Sequence, residues 1–374
     1  MVWSSRMAAC FCVQCAEGSE TYDPGMSLDP HVPRPAPTFV QEAQPVPATP
    51  NGNPASLIWV GDVHVSDTPP GYRTDTYCED VLAKLRFIAQ HAATHNVGAI
   101  VFAGDLFHRK RGVASALVAA VHDAMAPYHG PKLIIPGNHD MLDNVPESIP
   151  SQPIGLLARM PSWHILDYEA GYFPIAPTLV VAGVGYHREP MPRQNITFNR
   201  PGATAPPGAV RVLGVHYGFV ASADVASPYY DSIDVSDPAF NPGCDVLFYG
   251  HIHEPAVFST PAGVPVINPG ALSRGSISEA VPTRAPKVVM LTVTNGAPSF
   301  ITIPVPHKSA EDAFRLGDHA VEKAAERLSD GFVDAFGGAH VEALSLPEVS
   351  GLIASSPASP QAQAIASEAV EAVW

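Results

Sequence analysis

Histidine and carboxylate residues gather in five short clusters along the chain. They are Asp62-Val63-His64, Gly104-Asp105-Leu106-Phe107-His108, Gly137-Asn138-His139-Asp140, the lone His216 after Val215, and Gly250-His251-Ile252-His253. Imidazole nitrogens, carboxylates and a carboxamide oxygen are the donors that divalent cations of intermediate hardness take. Together the clusters offer enough of them to hold two such ions side by side. Two metals a few ångströms apart are a recurring device for hydrolysing phosphate esters, because they acidify a water and neutralise the charge that builds on the phosphoryl oxygens.

Each cluster follows a short apolar run: Ser56–Val60 before Asp62, 97–103 before Asp105, 132–136 before Asn138, Val210–Val215 before His216, and 245–249 before Gly250. Runs of β-branched and aromatic residues bounded by Gly or Pro read as buried strands. The ligands therefore stand just past the carboxyl ends of strands, where open α/β sheets place their sites. Glycines 61, 104, 137 and 250 permit the sharp turns and close backbone approaches such loops need. Between the first clusters, Asp75–His95 and Val113–Met125 repeat apolar residues close to a 3.6 period and predict helices. From Leu179 onward the pattern changes to strands with short turns: Leu179–Ala182, Val210–Val215, Val246–Tyr249, Ala256–Phe258, Val264–Ile267, Val288–Val293 and Phe300–Ile303. The expected fold class is α/β, two sheets packed together and flanked by helices, in one domain spanning residues 54–306.

The series D-x-H, GD, GNHD, H and GHxH resembles the calcineurin-like metallophosphoesterases, and the resemblance covers essentially all of residues 54–306. Within that superfamily the chain is most similar to the SbcD-type DNA nuclease subunits. His108, three positions after Asp105, and the stretch 266–274 around Asn268-Pro269-Gly270 carry that closer likeness. The resemblance implies one metal on Asp62, His64 and His253, a second on Asn138, His216 and His251, and Asp105 bridging both. It implies that His139 orients the phosphate or protonates the departing oxygen, with Asp140 holding that imidazole, and that His108 positions the scissile phosphate. A two-metal phosphodiester hydrolase follows, a DNA exonuclease or endonuclease of repair or recombination. Mn2+ is the first choice of metal, with Fe2+, Zn2+ and Mg2+ as alternatives. An SbcC-type ATPase subunit and a homodimer are the partners implied.

Blander readings stand beside these. A lone strand-end histidine such as His216 is usually structural, and its place between GNHD and GHxH is what makes it a ligand. His108 precedes Arg109-Lys110-Arg111, so a solvated basic loop accounts for it as well as phosphate positioning does. His187, after Val184-Gly185-Tyr186, is a residue that could line the cleft. A small-substrate metallophosphodiesterase, for example one cleaving cyclic nucleotides, needs the same metals. Protein phosphatases resemble GDxxDRG and GNHE, which this chain lacks. A non-catalytic scaffold would have lost ligands, and none is missing.

The net charge of −15 excludes a generally basic nucleic-acid-binding surface. Phosphate contacts would fall to local cations such as Arg109, Lys110, Arg111, Arg188, Arg193 and Arg274. No run is long and apolar enough to span a bilayer, and five cysteines do not make a disulfide framework, so the chain reads as soluble and cytoplasmic. Residues 1–53 read as a proline-rich disordered leader. Its Cys10, Cys12 and Cys15 invite a zinc reading that lacks a fourth ligand. Residues 307–374 read as a short helical tail, with one amphipathic helix over Ser309–Leu328 and another over Gln361–Trp374; one of them is expected to dock a partner, against a solvated tail.

Overall fold

The computed structural model describes residues 55–316, except 75, 188–194, 200–203, 223–231 and 276–283, together with 346–355 and a few positions beyond. The leader with Cys10, Cys12 and Cys15, and the local cations Arg188 and Arg193 expected to contact phosphates, lie outside the described residues.

Strands β1 (Ser56–Val60), β2 (Ala99–Phe102), β3 (Lys132–Ile134) and β4 (Trp163–Ile165) run parallel, and every residue of the first three is buried. Burial on both faces is what a continuous apolar strand requires. Strands β5 (Tyr172–Ala176), β6 (Leu179–Val184), β7 (Val210–Val215), β8 (Gly218–Val220), β9 (Ser232–Asp234), β10 (Val246–Tyr249), β11 (Ala256–Ser259), β12 (Pro265–Asn268), β13 (Lys287–Thr294) and β14 (Ala297–Pro304) follow. One six-stranded sheet has the order β14-β13-β1-β2-β3-β4, with β13 antiparallel to β1. The other has the order β11-β12-β10-β7-β6-β5, parallel in its centre and closed by antiparallel strands at both edges. Strands β8 and β9 form a separate pair.

The period of two along each strand sorts its side chains between layers. Leu57 and Trp59 of β1 enter the core between the sheets with Val101, Leu133, Val181, Val212 and Phe248. There Trp59 stacks on Phe248 with ring centroids 4.9 Å apart. Ile58 and Val60 point the other way, onto the helices α1 (Tyr77–Thr94) and α2 (Ser115–Ala124). Helix α1 buries Val81, Leu82, Leu85, Ile88 and Ala89, the stripe its sequence period marks out. It stops after His95, where Asn96 takes a left-handed backbone (φ 49°). The outer face of the second sheet is covered by Ile196, Phe198, Phe219 and Phe240. Each fully buried large apolar side chain contributes roughly 1.5–3 kcal/mol by leaving water.

The expected two-sheet α/β architecture is present. Strands β4, β5, β8 and β9 had no clear sequence signal, because they are short and several of their residues remain partly exposed. After the short helix α3 (Pro153–Leu157), the carboxyl-terminal segment differs from expectation. The helix predicted over Ser309–Leu328 is interrupted after one turn, α4 (Ala310–Ala313), capped by the Ser309 hydroxyl, and its residues 317–328 lie outside the described residues. Phe314 is extended (φ −129°) and forms an antiparallel bridge with Arg73. Its ring is met by the Arg73 and Arg274 guanidiniums, a tertiary contact that overrides helix propensity. A helix the sequence did not signal, α5, spans Leu346–Ser355. Most of the predicted Gln361–Trp374 helix lies outside the described residues.

Candidate metal centre

The loops after β1, β2 and β3 of the first sheet deliver Asp62, His64, Asp105 and Asn138. Those after β7 and β10 of the second deliver His216, His251 and His253. Asp62, Asp105 and His216 lie buried at the floor of the site, and His108, His139, His251 and His253 stand partly exposed above them.

One set of donors is Asp62, His64 and His253, whose ligand atoms lie within 4.8 Å of one another. His64 Nε2 is 3.0 Å from His253 Nε2, and His253 Nε2 is 3.5 Å from Asp62 Oδ2. In the other set, Asn138 Oδ1 lies 3.2 Å from His216 Nε2 and 3.1 Å from His251 Nδ1. Asp105 faces both: Oδ2 is 3.6 Å from His64 Nε2, and Oδ1 is 3.5 Å from His216 Nε2. One carboxylate with an oxygen toward each set is the arrangement a bridging ligand needs.

These donors fit two cations on chemical grounds. His216 keeps Nδ1 2.6 Å from the Ala103 carbonyl oxygen, so that nitrogen donates and the Nε2 lone pair turns to Asn138 and Asp105. Lone pairs of His216, Asn138 and Asp105 therefore converge, and they repel unless something positive sits among them. Without a cation a proton fills that role: burial lowers the His216 pKa, but the Asp105 and Asp62 carboxylates outweigh it and lift the imidazole to about 9. Burial would raise the Asp105 carboxyl, yet the neighbouring histidines, His216 first, hold it below the usual carboxylate range. Burial raises Asp62 and pushes His64 well below the ordinary imidazole value. His251 falls to about 3, from burial first and then the His216 charge. His64 and His251 are thus neutral imidazoles with a lone pair to offer.

Backbone conformation is unusual at three of the seven positions. His64 (φ 50°), Asp105 (φ 48°) and His251 (φ 76°) occupy the left-handed region, which costs a non-glycine residue about 1–3 kcal/mol. Strain concentrated at convergent donors is what a site held ready for its ligands shows. Close approach explains two glycines beside them. A β-carbon on Gly137 would overlap the Asp105 carboxylate, and one on Gly104 (φ 110°) would overlap the His216 ring.

Above this floor, His64, His108 and His139 bring one ligand atom each within 4.8 Å of one another. His139 Nδ1 is 2.5 Å from the His108 carbonyl oxygen, and its backbone N–H donates to Asp105 Oδ1 at 2.8 Å. The His108 and His139 rings stack, with centroids 5.6 Å apart. The solvated-loop reading of His108 is therefore displaced for the histidine itself, although Arg109 and Arg111 after it are exposed. Asp140 departs from the role expected of it. Its carboxylate accepts from the backbone N–H of Gly137 (3.0 Å) and Leu106 (3.0 Å), so it ties two ligand loops together rather than holding the His139 ring. Burial, then the Asp105 charge, raises its pKa to about 7.

Two further expectations shift. Arg274 is buried against Phe314 and donates to the Lys308 carbonyl, so it faces the carboxyl-terminal segment and not the cleft. His187 points to Asp167 (3.8 Å). Its neighbour Tyr186, which sequence reasoning passed over, lies with its ring centroid 5.5 Å from that of His251 and 6.4 Å from that of His216. The signal was available, since Tyr186 stands two residues past strand β6 at the same sheet end.

A model of the calcineurin-like phosphoesterase family matches residues 55–255, which include all seven candidate donors. The chain belongs to that family. This phosphoesterase is accordingly a metal-dependent hydrolase with a dimetal centre. A comparison with curated proteins finds no match. Among solved structures, it is similar to a dimetal phosphatase from Danio rerio, with 12% identity and a TM-score of 0.42 over 68% of this chain and 100% of that one. A purple acid phosphatase from yellow lupin is 11% identical, with a TM-score of 0.41 over 73% of this chain and 56% of that one. The nuclease MPE of Pseudomonas putida is 16% identical, with a TM-score of 0.29 over 62% and 83%. No helix among the described residues is long and apolar enough to cross a membrane.

Proposed function

We propose that this calcineurin-like phosphoesterase is a phosphodiesterase that cuts DNA, an exonuclease or endonuclease of SbcD type acting in the cytoplasm in repair or recombination. The observation that carries the reading is the position of His108, which joins His64 and His139 at the solvent side of the metal donors. The resemblance to SbcD-type nucleases predicts a histidine in that place to seat the scissile phosphate. Arg109, Lys110 and Arg111 follow it in sequence, and the exposed Arg109 and Arg111 are cations that a polyanion could contact.

Asp62, His64 and His253 would hold one cation, Asn138, His216 and His251 the other, and Asp105 both, with Mn2+ as the preferred metal. When bound, the pair supplies positive charge to the phosphoryl oxygens and lowers the pKa of an attacking water. His108 orients the phosphate. His139, with Nδ1 committed to the His108 carbonyl, keeps Nε2 for a proton that passes to the departing oxygen. Asp140 braces the loops that carry Asp105 and Asn138. An SbcC-type ATPase and a second copy of the chain are the partners proposed, the ATPase docking on the segment after Gly337.

One observation favours a second reading: a net charge of −15 suits a compact substrate such as a cyclic nucleotide better than a long polyanion. A single assay separates the two. Wild type and His108→Ser are given Mn2+ with linear double-stranded DNA, bis-para-nitrophenyl phosphate and cyclic AMP. DNA cutting lost in the variant, with small-ester cleavage retained, supports the nuclease. Cleavage of the small esters alone, unchanged by an added ATPase partner, overturns it.

A further inference from the structure

Behind the metal donors, Tyr77 is buried at the start of α1, and its hydroxyl donates to the backbone carbonyl of His64 at 2.8 Å. Burial pushes the phenol up to about 12, so it is a donor throughout the working range. The residue it holds needs holding. His64 sits in the left-handed region at φ 50°, and its imidazole must meet Asp62, Asp105 and His253 at once.

Tyr77 is itself fixed from the other end of the described chain. The Arg73 guanidinium lies 5.1 Å from the Tyr77 ring centroid and 5.0 Å from that of Phe314, and Arg274 lies 5.6 Å from Phe314. Arg73 also binds Asp80 at 2.7 Å, and Lys308 reaches the other oxygen of that carboxylate at 3.0 Å. Main-chain bonds complete the strap: Thr74 N–H donates to the Ala313 carbonyl at 3.1 Å, and Arg315 N–H to the Tyr72 carbonyl at 2.8 Å. Residues 308–315 thus lie along 72–74 and reach Tyr77 through Arg73, and Phe314 is the side chain that both guanidiniums face. Residues 308–315 lie outside the span matched by the family, residues 55–255.

We propose that Tyr77 is a positioning residue for the metal ligand His64, and that the strap around Phe314 keeps Tyr77 in place. The segment after the last strand thereby helps to build the Asp62–His64–His253 site without touching a metal. A group one step removed from a ligand typically changes metal affinity 10–100-fold when lost.

The test is a Mn2+ titration of the full-length chain, followed by electron paramagnetic resonance, for wild type, Tyr77→Phe, Phe314→Ala and Phe314→Tyr. Tyr77→Phe keeps the buried ring and removes only the donor. One of the two Mn2+ sites is expected to weaken about 10-fold while the other stays as in wild type. The Mn2+ concentration for half-maximal hydrolysis of bis-para-nitrophenyl phosphate should rise by the same factor, with kcat at saturating Mn2+ retained within about twofold. Phe314→Ala should repeat that pattern, and Phe314→Tyr, which keeps the ring, should bind as wild type. If Phe314→Ala does not fold, Phe314→Leu replaces it. Wild-type titration of Tyr77→Phe, or equal weakening of both sites, overturns the proposal.

Discussion

The carbonyl oxygen of His108 lies 2.5 Å from Nδ1 of His139, so the main chain of one histidine fixes the tautomer of the other. Only Nε2 of His139 is left for substrate. His139→Gln should therefore lower kcat by about 10²–10⁴ on DNA, the usual loss for a positioned proton donor. Mn2+ binding should be untouched, because no metal donor changes. The loss should be smaller on bis-para-nitrophenyl phosphate, whose leaving group departs without a proton. Equal losses on both substrates would assign His139 to phosphate orientation instead. Steady-state kinetics on the two substrates decides it.

Asp140 gives a contrasting expectation. As a brace between the Gly137 and Leu106 amides, it needs two acceptor oxygens. Asp140→Asn puts an NH2 group against one of those N–H donors, at a cost of about 1–3 kcal/mol for a buried unsatisfied group. The urea midpoint and Mn2+ affinity should both fall, while the DNA-to-small-ester activity ratio stays as in wild type. A changed ratio with full stability would return Asp140 to the role of holding His139.

Gly104→Ala tests the packing under His216. Its β-carbon would overlap the imidazole, and the φ of 110° adds backbone strain. A displaced ligand of about 1 Å can cost 10²-fold in rate, which is the loss expected. Gly263→Ala is the control, since it has a left-handed φ of 81° but open space around it. It should lose about 1 kcal/mol of stability and no activity. Equal rate losses in the two variants would show that strain alone accounts for the effect.

Much of this site could be read from the chain, because the donors follow strands whose composition marks them as buried. Asp62, Asp105, Asn138, His216 and His251 each stand within four residues of the end of a strand, and parallel strands bring such positions to one edge. What escaped depends on contacts between distant segments. The helical pattern after Ser309 is locally sound and fails at Phe314 because Arg73 and Arg274 claim its ring. Arg274 looked like a phosphate ligand for the same reason. Asp140 adjoins His139 in sequence, but its carboxylate turns to the Leu106 loop, which adjacency does not reveal. Tyr186 was passed over because an aromatic after a strand is usually core.

Lys84 carries a pH prediction. It is buried on α1 and donates to the Leu272 carbonyl at 3.1 Å. Burial first, then Arg274, Arg73 and Arg284, lowers its pKa to about 7 from the ordinary lysine value of 10.5. Between those values the unfolded chain holds the extra proton, so the Lys84 contribution to stability improves as pH rises through that window. Below about 7 the folded state carries the full penalty of a buried charge. Lys84→Met should then be more stable than wild type at pH 6.5, and the advantage should shrink by pH 9.5. Urea midpoints at the two pH values give the answer; a difference independent of pH would refute the assignment.

Four of the seven proposed metal donors come from one sheet and three from the other, with Asp62 and His253 separated by 191 positions in sequence and 3.5 Å in space. A cation held there would act as a rivet through two plates. Chelation should let the sheets breathe against each other around Trp59 and Phe248, so amide exchange would quicken in both layers at once and not only in the loops. Mechanical coherence of the sandwich and its chemistry would then share one component, and withholding the metal would loosen the protein as well as silence it.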